Sequence, residues 1–161
     1  YYILKAVFES GGKDKSIDLL KEYYGAMLDM GATTFWEDFD ISWVENSFGI
    51  DEMPIENKKD IHGDFGKYCY LGFRHSLCHG WSSGPVSFLA KYVAGIYSLD
   101  KEDKKILIKP YLGNLNTVEC SYPTKYGVIN LKHKKDEKGI IKTKIDYPND
   151  IQIIIEDCVL E

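Results

Sequence analysis

Glu37 is the side chain whose setting most suggests chemistry. It follows Phe35-Trp36 at the end of the run Gly31-Ala32-Thr33-Thr34-Phe35-Trp36-Glu37. A carboxylate beside aromatic walls is partly desolvated, and its pKa can then suit proton transfer. Glycosidases need two carboxylates across the scissile bond, one as acid and one as base or nucleophile. Asp38, Asp40 and Glu45 are near in sequence, but spacing alone does not say which of them faces Glu37. A surface or salt-bridged Glu is the ordinary alternative for a residue of this kind.

Two other groupings offer different chemistry. Gly80-Trp81-Ser82-Ser83-Gly84 matches the G-x-S-x-G pattern of a serine nucleophile elbow. An elbow requires a buried parallel strand before it, then an acid and a His in order. The later His, His133, falls in an expected surface strand, so helix capping is the competing reading of Ser82. Cys69, His75, Cys78 and His79 are zinc-ligand types, but their spacing matches no standard site. No cofactor is expected.

The elements that must carry these residues can be read from periodicity. Residues 2–10 form an apolar helix closed by Gly11-Gly12. Asp14 or Ser16 is expected to cap a second helix, with Ile17, Leu20, Tyr24, Met27 and Leu28 on one face and Gly31 at its end. Residues 32–78 are irregular, and the polar stretch from Asp51 to Lys67 reads as a functional or mobile loop. Pro85 suits the first turn of a third helix, with Val86, Leu89, Val93 and Ile96 as its buried stripe and Gly95 near its end. Past Asp100 the period becomes two. Strands are expected at Ile106–Lys109, through Val118, Cys120 and Tyr122, through Ile129, Leu131 and His133, at Ile141–Tyr147 and at Ile151–Glu156. The fold class is therefore α+β by segregation, with N-terminal helices followed by an antiparallel sheet.

Composition narrows the field. The 161 residues carry 20 basic and 25 acidic groups, a net charge of −5. Residues 1–100 hold 9 basic and 15 acidic groups, and residues 101–161 hold 11 and 10. That shift divides the chain into 1–100 and 101–161. The acidity and the lack of a basic stripe argue against nucleic acid as partner, and no apolar run approaches membrane-spanning length. Four cysteines in a chain of this size read as free thiols, which leans towards a reducing, cytoplasmic setting. The opening Tyr1-Tyr2-Ile3-Leu4 resembles the middle of a helix, so the chain is expected to be a fragment of something larger.

Several segments together resemble one known family. Gly31–Glu37, then Ser76-Leu77-Cys78-His79-Gly80-Trp81-Ser82-Ser83-Gly84-Pro85, then Tyr92-Val93-Ala94-Gly95-Ile96 are similar to the C-terminal part of bacterial α-L-rhamnosidases of glycoside hydrolase family 78. Pro110-Tyr111-Leu112-Gly113 and Pro123-Thr124-Lys125-Tyr126-Gly127 resemble the start of that family's terminal β-domain.

The resemblance implies a catalytic barrel of paired helices followed by a small β-sandwich. It implies hydrolysis of terminal α-L-rhamnosides with inversion, Glu37 as general base and His79 as a sugar contact. Trp36 and Trp81 would be walls of the same site. The family's general acid lies in a segment upstream of the matched stretch, so the chain alone is expected to be inactive. Exposed barrel helices are expected to favour self-association or packing against the β-domain. The 42 positions between Glu37 and His79 exceed the family spacing, which makes the Asp51–Lys67 stretch a candidate lid or subsite loop. A non-catalytic carbohydrate-binding module and a serine hydrolase at Ser82 are the rival readings.

Overall fold

Leu4 and Phe8, one helical turn apart, are the buried side chains of α1 (Tyr2–Glu9). The second helix, α2 (Lys13–Asp29), buries Ser16, Ile17 and Met27. This computed structural model describes residues 1–65 and 74–161. The expected cap is displaced: Gly12 is the N-cap of α2, Asp14 lies in its first turn, and the Ser16 hydroxyl donates to the Lys13 carbonyl at 2.7 Å. Asp14 still favours the helix start through the dipole. The helix ends as expected at Gly31, whose N–H donates to the Leu28 carbonyl while Ala32 N–H donates to that of Met27.

Leu28, expected on the buried face, is 66% exposed. At eight residues, α1 is half as long as α2 and covers only its first turns. The last turn of α2 packs instead with the following loop. Met27, Met30, Ala32, Trp36, Phe39 and Ile61 form that core. A short 3₁₀ turn, Ile41–Trp43, is capped by Asp40, which accepts from Ser42 N–H at 2.8 Å. Two-residue strands β1 (Ser47–Phe48) and β2 (Lys59–Asp60) then pair in parallel.

The third helix is much shorter than expected. A 3₁₀ turn, Gly80–Ser83, runs into α3 (Gly84–Phe88), which widens into a π turn, Leu89–Val93. The widening rotates the buried face. Phe88, Tyr92 and Val93 go inside, while Val86 and Leu89 are 60% and 41% exposed. Ile96 is not in the helix but opens a strand.

The remaining strands are β3 (Ile96–Ser98), β4 (Lys105–Ile108), β5 (Thr117–Thr124), β6 (Gly127–Lys135), β7 (Ile141–Asp146), β8 (Gln152–Ile155) and β9 (Val159–Leu160). They make two sheets, ordered β3-β4-β8 and β5-β6-β7-β9. Hairpin neighbours are antiparallel, as alternation predicts. Two pairs, β4 with β8 and β7 with β9, are parallel. Pro123 lies within β5 and is tolerated because β5 is an edge strand. The inner faces share one core of Ala94, Ile96, Ile106, Ile108, Ile129, Leu131 and Ile151.

The chain forms two compact units, Tyr1–Pro85 and Val86–Glu161. The division precedes the compositional change at 100, because Ala94 and Ile96 belong to the core of the second unit. The fold is α+β, with a helical end followed by a β region. Among the described residues, no helix is long and apolar enough to cross a membrane.

His133 sits among inward-facing β6 residues and is fully buried, not on a surface strand. Its Nε2 lies 3.0 Å from the Ala94 carbonyl, which can only accept, so Nε2 carries the proton. Its Nδ1 then accepts from the Thr143 hydroxyl at 2.8 Å. Burial lowers the pKa of this fully partnered imidazole, and the Ala94 hydrogen bond raises it less.

Candidate active site

Two irregular segments of the N-terminal unit are stitched together by their backbones. His79 N–H donates to the Phe35 carbonyl at 2.8 Å, and Glu37 N–H donates to that of Ser76 at 2.9 Å. Side chains complete the seam. The Thr34 hydroxyl donates to the Leu77 carbonyl, and the Ser82 hydroxyl donates to that of Trp36. Tyr24 on α2 backs the seam, donating to the Ser82 carbonyl at 3.2 Å and meeting Phe35 edge-on at 5.9 Å.

This seam brings Glu37 and His79 together across 42 positions. Glu37 Oε2 accepts from Ser76 N–H at 2.9 Å, so Ser76 and Glu37 hold each other in both directions. A backbone donor on a carboxylate favours its ionised form. Glu37 Oε1 lies 3.6 Å from His79 Nε2, too long for a hydrogen bond and close enough for an ion pair when the ring is charged. Both side chains are partly exposed, at 24% and 29%. His79 also caps the Gly80–Ser83 turn, its Nδ1 accepting from Trp81 N–H at 3.4 Å. That places the proton of the neutral ring on Nε2, the nitrogen nearer Glu37. The pair can orient a hydroxyl or a water between a base and a donor.

The two tryptophans are placed differently. Trp81 is 89% exposed beside His79, whereas Trp36 is 1% exposed and packs edge-on against Phe39 at 5.7 Å. Trp36 therefore backs the seam from inside the core. Asp40 is engaged as the cap of the 3₁₀ turn, and the Ser42 hydroxyl first, then the Ser42 N–H, holds its carboxyl below the usual range. Tyr23 donates to the Phe39 carbonyl at 2.7 Å, and burial first, with Tyr24, Asp38 and Asp40 adding to it, pushes its pKa up to about 12.

The elbow reading of Ser82 lacks its context. Among the described residues, an irregular stretch rather than a strand precedes Gly80, and the Ser82 proton is given to a backbone carbonyl. His133 has both ring nitrogens engaged by Ala94 and Thr143. Of the zinc candidates, Cys69 lies outside the described residues. Cys78 is an exposed free thiol, and no cluster of three or more metal-ligating side chains occurs among the described residues.

Ser76 and Tyr24 join the site in roles that their residue types do not announce, a backbone amide and a long-range hydroxyl contact. His75, a zinc-ligand type by sequence, is 2% exposed and packs against Trp36, Trp43 and His62. Burial lowers its pKa first and His62 lowers it further, while Asp38, Glu37 and Asp60 act in the opposite sense.

His75 and His133 thus make acid a destabiliser. Each unfolded imidazole titrates near 6.5, and each folded one titrates lower. Their contribution to stability is fully present above 6.5 and is lost as pH falls from there through the folded values. The slope is at most about 1.4 kcal/mol per pH unit for each proton taken up. Thermal melts at pH 7.5 and pH 5 should show the lower midpoint in acid; equal midpoints would contradict the assignment of neutral buried rings.

No family model matches the sequence, and no curated protein matches it. The fold is similar to a solved structure of a GH78 family rhamnosidase of Bacillus sp. GL1, at TM-score 0.69 and 23% identity. The match covers 98% of this chain and 15% of that one. The chain therefore has a fold of the kind found in one part of that rhamnosidase, helical elements leading into a β region, and spans about a seventh of its length.

Proposed function

We propose that this chain is one part of an inverting glycosidase that releases terminal α-L-rhamnose. Glu37 serves as general base and His79 as a sugar-binding donor. The observation that carries this reading is the reciprocal Glu37–Ser76 pairing, which sets Oε1 of a backbone-held carboxylate 3.6 Å from His79 Nε2 with both groups reaching solvent. An inverting base must be ionised, positioned and able to hold a water opposite the leaving group. The Ser76 N–H on Oε2 supplies the positioning. Trp81, exposed beside His79, is the wall available to a sugar ring.

The helices would form the end of a helical barrel. Tyr2, Ile3 and Leu28 are 80%, 74% and 66% exposed, apolar faces that neighbouring helices would cover and that otherwise favour self-association. The partner carboxylic acid is to be sought outside this chain, so the isolated chain is expected to leave rhamnosides intact. Inversion requires the two carboxyl groups to stand apart by about 6.5–9.5 Å.

The deciding experiment uses the longer protein carrying this chain and an aryl α-L-rhamnoside, with the first-formed sugar observed by proton NMR. The β-anomer should appear first and mutarotate later. An α-anomer appearing first would remove inversion, and an intact rhamnoside would remove the substrate assignment.

A further inference from the structure

Among the described residues, three buried side-chain polar atoms of the N-terminal unit have no hydrogen-bond partner: Trp36 Nε1 and both ring nitrogens of His75. Phe at position 75 would fill an aromatic cage without stranding two nitrogens, so packing alone does not account for His there. The cage is made by Trp36, Trp43 and His62, with ring centroids 6.0, 6.3 and 5.2 Å from that of His75.

The backbone around this ring is held at two consecutive residues. Arg74 Nη1 lies 3.2 Å from His62 Nδ1, and a guanidinium can only donate, so the His62 proton is on Nε2. That Nε2–H donates to the His75 carbonyl at 2.9 Å. One residue on, Ser76 exchanges two hydrogen bonds with Glu37. Any movement that draws His75 out of its cage therefore pulls on the amide that holds the Glu37 carboxylate.

We infer that His75 is a positioning residue for Glu37, seating Ser76 N–H against Oε2 while its ring is neutral and releasing that amide when the ring becomes charged. An imidazolium has two N–H donors, and the cage offers them no acceptor. The surrounding charges oppose one another. Glu37 and Asp38 from the loop after α2, and Asp60 from β2, favour the cation; burial and His62 disfavour it and prevail. Arg74 is tied to Asp60 at 2.8 Å, so its charge is partly offset. The functional meaning rests on Glu37 being the base; the coupling itself does not.

The test is an NMR titration of the isotopically labelled 161-residue chain from pH 7.5 to pH 5, with no substrate. The His75 ring, the Ser76 amide and the Glu37 side-chain carboxyl carbon should share an inflection below pH 6.5. That inflection should vanish from Ser76 and Glu37 in His75→Phe, and in His75→Asn if the Phe variant folds poorly, with the amides of α2 unchanged. A Ser76 amide that stays still while His75 titrates would overturn the inference without any variant. So would a His75 that stays neutral until the chain unfolds, or an inflection that persists in His75→Phe. Coupling observed in a chain whose longer protein cleaves no glycoside would retain the inference and discard the glycosidase reading.

Discussion

Glu37→Gln in the longer protein should lower kcat by about 10²–10⁴-fold, the range general base catalysis supplies. The replacement keeps the side chain's length and an oxygen that can accept from Ser76 N–H, so the seam between residues 34–37 and 76–79 should persist. What it removes is the capacity to take a proton from water. KM should change little, because the water is activated in the transition state and the sugar's ground-state contacts lie elsewhere. Steady-state kinetics on an aryl rhamnoside, with a far-UV spectrum and melting midpoint to establish folding, would measure both quantities. Retained turnover in Glu37→Gln would end the assignment of Glu37. His79→Gln gives the contrast: loss of a sugar contact should raise KM as well as lower kcat.

Gly95→Ala should strongly destabilise the C-terminal unit. Gly95 joins the π turn to β3 at φ +74°, a conformation L side chains seldom adopt. A Cβ there would lie 2.2 Å from the Lys109 carbonyl carbon and 2.4 Å from Pro110 N, both backbone atoms with nowhere to go. The close approach is itself made by a hydrogen bond, Lys109 N–H to the Gly95 carbonyl at 2.8 Å. Left-handed strain and forced overpacking together should cost about 2–5 kcal/mol. Gly139→Ala is the matched control, since Gly139 has φ +79° but nothing within 4 Å of an added Cβ. It should lose only the strain, about 1–2 kcal/mol. Chemical denaturation of the two variants would measure the difference, and equal losses would refute the steric account.

Much of the architecture was legible because it is local. Alternation through Val118–Tyr122 and Ile129–His133 marked β5 and β6, and the inward place of His133 was already implied by its register with Ile129 and Leu131. With its alternate residues exposed and the others buried, β6 is a half-buried strand and not a surface one. The helical stripe of Val86, Leu89, Val93 and Ile96 failed for another local reason. Helical spacing assumes a constant 3.6 residues per turn, and the π turn at Leu89–Val93 breaks it. β3 and β9 are too short, at three and two residues, for a period to show. The parallel pairs β4–β8 and β7–β9 join strands with no hairpin turn between them, so no local turn signal marks the pairing.

The candidate site divides the same way. Residue type marks Glu37 as a candidate, because side-chain chemistry is a property of each residue alone, while His79 and the tryptophans enter through the family resemblance carried by the order of the segments. Their meeting was decided by folding. Backbone hydrogen bonds from Glu37 to Ser76 and from His79 to Phe35 carry no residue-type signature, so only the tertiary structure could pair these segments, bury Trp36 and leave Trp81 in solvent.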